Sequence, residues 1–399
     1  MLKFHARTDV GLRRKHNEDS LLAAEEYGLF VVADGVGGRK AGELASAITV
    51  NTFQTYGPKL RMALEAYGAD PGRPTRTAVM ALLDQATNAA SKRVFEAAEA
   101  TGRQGMTTTM VAAAVGAGSA FIAHVGDSRV YLVRDKEMKL LTEDHSMVNE
   151  LIRTGALLPE EAERSPYRNV ITKAIGLYPQ VRPDTLHVEL VAGDRILLCS
   201  DGLHDMVPAP ILTKLALQPN LTQSVDSMIA AALEGGGKDN VTCIAIEAEA
   251  TREAEAVAAH ARIMENLWLF KDLPYQARLR VGKICHERKF QPNEKIVSKG
   301  EMGDALFVVI QGQMSVQVDG QEVAVLKEGE HFGELALIEN EPRSADIVAK
   351  TFGTLLAVDR TAFREFCMME PALGNLMLWK LVTSLGQRLR SMNEQVRAK

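Results

Sequence analysis

The stretch Val31-Val32-Ala33-Asp34-Gly35-Val36-Gly37-Gly38 decides the fold around it. Its apolar run predicts a buried strand, and the run ends on a carboxylate that glycine follows at once. A rigid strand holds Asp34 in place, and the missing side chain of Gly35 lets its carbonyl oxygen approach a cation closely. A single Asp-Gly is also typical of a hairpin turn, so this stretch alone leaves both interpretations open.

Size and composition limit the class of protein. With 399 residues, 46% of them hydrophobic, the chain is long enough for two or three domains. Its net charge of -5 gives no basic surplus, so nucleic acid is not an expected partner. The cysteines are widely separated and lack metal-ligand spacing, which is typical of reduced cytosolic thiols. The polar N-terminus and the lack of a long apolar run predict a cytoplasmic protein without a membrane partner.

Helices and strands are mixed through the first 248 residues without regular βαβ alternation. This pattern predicts an α+β layered sandwich rather than a doubly wound sheet. Helical spacing covers residues 43–55, and residues 68–74 predict a loop rich in glycine and proline. The sequence Gly126-Asp127-Ser128-Arg129 predicts a tight hairpin between two strands. Residues 145–175 are irregular and suit a flap over a site.

Carboxylates recur at or near predicted strand ends. They are Glu18, Asp19, Asp34, Asp127, Asp201 and Asp239. If the strands form two packed sheets, these groups can converge at one rim, where they repel one another unless divalent cations neutralise them. Ligation by oxygen alone suits Mg²⁺ or Mn²⁺ and not zinc. Two such ions about 4 Å apart can share a water and clamp a phosphoryl group.

Seven motifs in this part of the chain carry a family resemblance. They are Thr8-Asp9-Val10-Gly11 with Arg14 and Asn17-Glu18-Asp19; Val32-Ala33-Asp34-Gly35-Val36-Gly37-Gly38; Met106-Thr107-Thr108-Thr109; His124-Val125-Gly126-Asp127-Ser128-Arg129; Leu141-Thr142-Glu143-Asp144-His145-Ser146; Cys199-Ser200-Asp201-Gly202-Leu203; and Lys238-Asp239-Asn240-Val241-Thr242. Their order and spacing resemble those of type 2C metal-dependent (PPM-type) protein phosphatases. The resemblance implies a four-layer αββα sandwich that hydrolyses phosphoserine and phosphothreonine in proteins with Mg²⁺ or Mn²⁺.

The resemblance also implies roles for single residues. Asp34 would bridge two metal ions, Asp201 and Asp239 would hold the first ion, and the Gly35 carbonyl would hold the second. Arg14 matches the phosphate-binding arginine of the family, and its fork geometry suits a phosphate dianion. Arg14, Asp34, Asp201 and Asp239 are therefore the expected catalytic set.

Further members of the centre follow from the same resemblance. Glu18 and Asp19 would contact the metals through water, and Asp127 would form a looser third site together with Asp201. Val36 is a departure, because the animal branch of the family has a histidine there as a proposed general acid. Bacterial-type members also lack that histidine, so activity is not excluded and the general acid stays unidentified.

A second group of residues lies near residue 340. Gly333 opens a short helical turn whose backbone N–H groups can bind an anion. Arg343 can neutralise a phosphate, and Glu334 can accept a hydrogen bond from a sugar hydroxyl. Taken singly, an isolated Gly-Glu or Pro-Arg is better explained by a turn with a surface ion pair.

The segments Phe332-Gly333-Glu334-Leu335-Ala336-Leu337 and Pro342-Arg343-Ser344-Ala345 closely resemble the phosphate-binding cassette of cyclic-nucleotide-binding domains. The resemblance covers about residues 267–392 and implies a β-roll with flanking helices. It implies that Glu334 binds the ribose 2′-hydroxyl, and that Arg343 binds the cyclic phosphate with Ser344. The backbone of Gly333, Glu334, Leu335 and Ala336 completes the implied ligand site. The Arg-Ser-Ala order resembles bacterial cAMP receptors and favours cAMP over cGMP.

These observations predict a phosphatase domain over residues 1–248, a helical connector over 249–268, and a cyclic-nucleotide-binding domain with a C-terminal helix over 269–399. The expected protein hydrolyses phosphorylated proteins, uses two Mn²⁺ or Mg²⁺ ions with room for a third, and takes cAMP or cGMP as an allosteric ligand. Two alternatives stay open: an inactive nucleotide-responsive scaffold, and an active phosphatase whose second domain is a ligand-free docking or dimerisation module. Apolar heptads in the terminal helix also leave a homodimer open.

Overall fold

The structure is a computed structural model that describes residues 2–36, 41–167, 170–248, 268, 270–271, 273 and 275–397. The chain divides into two compact units, Met1–Val257 and Ala258–Lys399. Apart from Trp268, the predicted helical connector lies outside the described residues. No helix in the ranges given above is both long and apolar enough to cross a bilayer.

Two antiparallel sheets form the centre of the first unit. Its strands are β1 (Lys3–Asp9), β2 (Asp19–Ala24), β3 (Leu29–Val36), β4 (Thr107–Thr108), β5 (Met110–Gly116), β6 (Ser119–Val125), β7 (Arg129–Arg134), β8 (Glu137–Leu140), β9 (Asp184–Glu189), β10 (Arg195–Cys199) and β11 (Val241–Glu247). One sheet has the order β1-β11-β10-β7-β8, and the other has the order β2-β3-β5-β6-β9 with β4 paired to β3. The edge-to-face contact of Phe4 with Phe30, at 5.3 Å between ring centroids, joins the two sheets inside the sandwich.

Helices cover the outer face of each sheet. They are α1 (Ala41–Ala69), α2 (Arg73–Thr101), α3 (Met147–Arg153), α4 (Asp201–His204), α5 (Ala209–Ala216) and α6 (Leu221–Glu234), with 3-10 turns at Glu25–Tyr27 and Pro159–Arg164. Apolar residues of α1 and α2 form one buried core with β3, β5 and β6. A second core joins α5 and α6 to β7, β10 and β11. These layers confirm the expected α+β four-layer sandwich.

The predicted hairpin at Gly126-Asp127-Ser128-Arg129 is wrong. Strand β6 pairs with β5 and β9 in one sheet, whereas β7 pairs with β10 and β8 in the other. Residues 126–128 therefore carry the chain from one sheet to the opposite sheet. The turn residues specify a change of direction, but they do not specify which strands become neighbours, and β6 is buried along its whole length.

The first long helix also differs from its prediction. α1 continues through Pro58 to Ala69, so residues 70–72 alone connect it to α2. A proline inside a helix costs about 3 kcal/mol. Beyond it, α1 buries Leu60, Leu64 and Tyr67 in the core. Burial of each such side chain contributes about 1.5–3 kcal/mol, so packing outweighs the cost of the proline.

The second unit is a β-roll with flanking helices. Its strands are β12 (Cys285–Phe290), β13 (Lys295–Val297), β14 (Ala305–Gln311), β15 (Met314–Val318), β16 (Gln321–Leu326), β17 (His331–Phe332), β18 (Asp346–Ala349) and β19 (Gly353–Asp359). They form two four-stranded sheets, β12-β19-β14-β17 and β13-β18-β15-β16. The helices are α7 (Tyr275–Gly282), α8 (Leu335–Ile338), α9 (Arg360–Met369) and α10 (Pro371–Arg397). One apolar core lies between the sheets, and another joins β14 to α9 and α10.

Candidate functional site

Asp34 lies on β3, two residues before the end of the strand, and is directly opposite Asp19 on β2. The Asp34 carbonyl oxygen accepts hydrogen bonds from the Thr108 hydroxyl at 2.7 Å and the Thr109 N–H at 2.8 Å. Backbone pairing on both sides therefore fixes the position of this carboxylate, as the sequence predicted for a residue on a rigid strand.

Asp19 connects the two sheets through hydrogen bonds. Its Oδ2 accepts from the Ser200 hydroxyl at 2.8 Å and from the Thr242 hydroxyl at 2.7 Å. Ser200 immediately precedes Asp201, and Thr242 lies three residues after Asp239. The side chain of Asp19 thus ties β2 to both segments of the other sheet that carry candidate metal ligands.

Arg14 contacts the same rim. Its Nη2 donates to Oδ2 of Asp239 at 2.6 Å, and this hydrogen bond raises the pKa of the Arg14 guanidinium. The side chain of Asn240 positions the loop that carries Arg14, because its Oδ1 accepts from the Glu18 N–H at 2.8 Å and its Nδ2 donates to the His16 carbonyl at 3.0 Å. The loop from the first strand therefore rests against the start of β11.

Burial is the main influence on the pKa values of the rim carboxylates, and repulsion between the carboxylates adds to it. Burial raises the pKa of Asp19 to about 7 and that of Asp127 to about 7. Burial and then neighbouring carboxylates, Asp19 first among them, raise the pKa of Asp34 well above its usual range. Burial also raises the pKa of Asp201 and that of Glu18. Several carboxylates that disfavour each other's charge are thus held in a space that a cation would stabilise.

The donor atoms fit a divalent cation. The Oδ1 atoms of Asp19 and Asp201 are buried and have no hydrogen-bond partner among the described residues. Within the same residues, no three His, Cys, Asp or Glu side chains are arranged so as to hold an ion on their own. This arrangement is compatible with Mg²⁺ or Mn²⁺, since Mg²⁺ keeps several waters and binds through one or two carboxylates.

Gly35 is packed tightly between two backbone segments. A Cβ at this position would lie 2.3 Å from the Gly42 carbonyl oxygen and 2.6 Å from the Glu18 carbonyl oxygen. The Gly35 N–H donates to the Glu18 carbonyl at 3.2 Å. Glycine is therefore required here by the close approach of α1 and the Glu18 loop, while Gly37 and Gly38 lie outside the described residues.

Asp127 lies on the crossover between the sheets and is close enough for Asp201 to raise its pKa, after burial itself. The Asp127 carbonyl oxygen lies 3.1 Å from Nε2 of His204. His145 supports the same loop, because its Nδ1 accepts a hydrogen bond from the Gly126 N–H at 3.0 Å. The structure therefore brings Asp127 to the rim by a different route from the predicted hairpin.

The second group of predicted residues lies in the β-roll. Arg343 packs against Gly333, whose φ is +78° and whose added Cβ would lie 2.3 Å from Arg343 Nη1. The Arg343 Nη2 donates to the Ala305 carbonyl at 2.7 Å. Glu334 is only 5% exposed, and Asp304 and Glu334 act against the burial that lowers the pKa of Arg343.

The remaining predicted cassette residues are neighbours of Glu334 and Arg343 in the sequence. Leu335 and Ala336 begin α8, and Leu335 is half exposed whereas Ala336 is buried. Ser344 follows Arg343 in the bend before β18. The six predicted cassette residues thus lie on one short helix and on the two connections that flank it.

Sequence reasoning missed several residues that hold these sites. In the first unit, Ser200 and Thr242 bind Asp19, and Asn240 positions the Arg14 loop. Their signal was a polar side chain within or beside an otherwise apolar strand. In the second unit, Arg360 donates to the carbonyls of Ala336 and Gly303. No local pattern marks that arginine.

Comparison with known proteins finds a family for each of the two parts of the chain that carry these residues. Residues 13–240 match the family model described as protein phosphatase 2C, and residues 287–370 match the cyclic nucleotide-binding domain. A serine/threonine phosphatase stp of Listeria innocua is 36% identical over 246 residues, which cover 60% of this chain and 94% of that protein. The crystal structure of the Mycobacterium tuberculosis serine/threonine phosphatase PstP/Ppp is 35% identical with a TM-score of 0.55, covering 62% of this chain and 99% of that one.

A second solved structure contains metal ions. The catalytic domain of PstP in complex with two manganese ions is 34% identical with a TM-score of 0.53, covering 62% of this chain and 97% of that domain. The chain belongs to the protein phosphatase 2C family. It is a metal-dependent protein serine/threonine phosphatase that also carries a C-terminal cyclic nucleotide-binding domain.

Proposed function

We propose that Asp34 bridges two Mn²⁺ or Mg²⁺ ions, that Asp201 and Asp239 hold the first ion, and that the Gly35 carbonyl holds the second. One observation carries this proposal: carboxylates from both sheets meet at one rim, and two of their buried Oδ1 atoms have no hydrogen-bond partner in the part of the chain that the structure describes. The chemistry that such ions supply when bound is charge neutralisation at the phosphoryl oxygens and a lowered pKa of water.

The protein's own groups have separate tasks in this proposal. Arg14 binds the phosphate dianion of the substrate, and its 49% exposed side chain is accessible for that contact. Glu18 and Asp19 orient waters at the ions, and Asp127 with Asp201 holds a third, looser ion. Val36 has no ionisable side chain, so the leaving serine or threonine oxygen takes its proton from water or from another group.

We further propose that a cyclic nucleotide bound to the second domain regulates the phosphatase. Support comes from the Arg343 guanidinium beside the Gly333 backbone and from the buried Glu334. In this proposal Arg343 and Ser344 bind the cyclic phosphate together with the backbone from Gly333 to Ala336, and Glu334 binds the ribose 2′-hydroxyl. The Arg-Ser-Ala order favours cAMP over cGMP.

The proposed division of the chain is a phosphatase domain over 1–248, a connector over 249–268 and a nucleotide domain over 269–399. Homodimerisation through α10 is a further proposal. It is supported by the exposed apolar side chains of Leu376, Trp379 and Val382 on that helix. Light scattering of the wild type and of a Trp379→Glu variant tests it.

One experiment separates the proposed function from its alternatives. Phosphate release from p-nitrophenyl phosphate and from a phosphothreonine peptide is measured with Mn²⁺ while cAMP and cGMP are titrated in parallel. We expect Mn²⁺-dependent activity that Asp201→Asn abolishes, and a nucleotide effect of about 5- to 150-fold that Arg343→Ala removes.

Each alternative predicts a different outcome. An inactive scaffold releases no phosphate above the level of Asp201→Asn. A docking or dimerisation module leaves the activity equal with and without saturating nucleotide, and the wild type then binds cAMP no better than Arg343→Ala does.

A further inference from the structure

A cavity of about 400 Å³ lies at the C-terminal end of α2, apart from the carboxylate rim. Its walls are mainly apolar and include Phe95, Ala98, Met106 and Leu177. Glu99 and Gln104 also line it, and both are exposed. A space of this size and lining suits a large apolar side chain and disfavours an acidic one.

The cavity and the candidate active site share one wall. Thr107 lines the cavity and pairs with Val36 across β3 and β4. The next residue, Thr108, donates its hydroxyl to the Asp34 carbonyl at 2.7 Å. Strand spacing then puts Thr107 about 8 Å from Asp34, the reach of two or three residues of an extended peptide.

The opposite wall comes from the end of the predicted flap. Ile175 exchanges two backbone hydrogen bonds with Thr108, at 2.8 and 3.1 Å. The Gly176 N–H donates to the Ser91 hydroxyl at 3.0 Å, and that hydroxyl donates to the Tyr178 carbonyl at 2.7 Å. The segment that carries Leu177 is therefore attached to both β4 and α2, so the cavity is formed before any ligand binds.

We infer that this cavity binds a large apolar side chain of the phosphoprotein substrate, two or three residues away from the phosphoserine or phosphothreonine. The inference rests on the proposed active site. Val36, 41% exposed, lies between Asp34 and the cavity wall and provides apolar surface along the path of such a peptide. The substrate is the occupant that this shared wall favours, because its phosphate must lie at the neighbouring rim.

The test uses phosphothreonine peptides in a glycine background with one leucine placed in turn at each position flanking the phosphothreonine. We expect wild-type kcat/KM to rise about tenfold for leucine at one position two or three residues from the phosphothreonine. The Leu177→Asp variant removes this preference. It leaves kcat/KM for the all-glycine peptide and for p-nitrophenyl phosphate unchanged. Tyr178→Asp is the matched control, since Tyr178 is 67% exposed and does not line the cavity.

Two results would overturn the inference: equal wild-type rates for all leucine positions, or a preference that persists in Leu177→Asp. Leu177 is 43% exposed, so the variant is expected to fold, and Leu177→Ala gives a milder second test of the same wall. Wild-type enzyme that fails to hydrolyse p-nitrophenyl phosphate with Mn²⁺ contradicts the proposed function instead, because that small substrate has no flanking residues.

Discussion

The Nη2 atom of Arg14 lies 2.6 Å from the Oδ2 atom of Asp239, although 225 positions separate the two residues in the chain. Both side chains are partly exposed, so the ion pair itself contributes little to folding stability. Its importance is positional, because it holds the proposed phosphate-binding group beside a candidate metal ligand.

Replacement of Arg14 by alanine tests this position. We predict that kcat/KM for a phosphopeptide falls about 10- to 150-fold, the effect of losing a charge-assisted hydrogen bond of about 1.5–3 kcal/mol. The midpoint of urea unfolding stays unchanged. Arg13→Ala, one residue earlier on the same exposed loop, is the control, and equal losses in both variants would show that Arg14 has no specific role.

Asp34→Asn is expected to separate activity from stability. Activity with Mn²⁺ is lost, whereas the metal-free protein becomes more stable by about 1–3 kcal/mol, because a neutral amide avoids the cost of holding a carboxyl group in a buried site among other carboxylates. Phosphate release measures the activity, and calorimetry with and without Mn²⁺ measures the stability; the metal raises the melting temperature of the wild type and of the control, but not that of Asp34→Asn. Glu65→Gln, at an exposed position, serves as control. A variant that Mn²⁺ still stabilises would contradict the bridging role.

Thr242→Val removes one of the two hydroxyl donors to Asp19 and also a contact with the Thr8 hydroxyl at 2.7 Å. We predict a loss of about 1–3 kcal/mol in the free energy of unfolding. The Mn²⁺ concentration for half-maximal activity also rises, because Asp19 is less well oriented. Thr213→Val removes an exposed hydroxyl bond within a helix and should leave both quantities unchanged.

His187 provides a pH dependence of folding that is independent of the metal centre. Burial lowers the pKa of its imidazole to about 3, and Nε2 lies 3.2 Å from the Tyr67 hydroxyl. Between pH 6.5 and 3 the unfolded state binds a proton at His187 and the folded state does not. The contribution of His187 to the free energy of unfolding is therefore full above pH 6.5 and falls on acidification. We predict that the slope of unfolding free energy against pH is smaller in His187→Phe by up to about 1.4 kcal/mol per pH unit. Equal slopes in denaturant titrations at pH 4 to 7 would contradict the buried neutral state.

Gly333→Ala and Gly320→Ala form a matched pair in the second unit. Both glycines have φ near +80°, so backbone strain is similar, but only at Gly333 would the new Cβ meet the Arg343 guanidinium. We predict that Gly333→Ala weakens cAMP binding at least tenfold more than Gly320→Ala does, while basal phosphatase activity stays unchanged in both. Calorimetric titration measures the binding. Equal affinities in the two variants would indicate that the Arg343 contact is not used by the ligand.

Local patterns predicted the carboxylate rim because strand ends and glycines are visible in the sequence. Asp34, Asp201 and Asp239 each follow or precede an apolar run, and the packing of two sheets brings such ends together. The hairpin at Gly126-Asp127-Ser128-Arg129 was wrong since its turn chemistry does not depend on which sheet the next strand joins. The Arg14–Asp239 contact could be expected only from the family resemblance, because spacing gives no distance between residues so far apart.

The helices show the same limit. The predicted helix ends near residue 55, just before Gly57-Pro58. The observed helix α1 continues because its second half is buried against the sheet. Such tertiary packing is not encoded in local propensity. In the β-roll, the glycine-punctuated strands were predictable, whereas the role of Arg360 depends on carbonyls more than twenty residues away.

The candidate metal ligands come from both sheets: Asp34 lies on β3, and Asp201 and Asp239 flank β10 and β11. Ions held there would act as a cross-link between the two halves of the sandwich and would make the halves unfold as one cooperative unit. The affinity for metal therefore depends on the relative position of the two sheets. A displacement between the sheets would change the fraction of metal-loaded enzyme, and so its rate, without altering any residue that contacts the phosphoprotein.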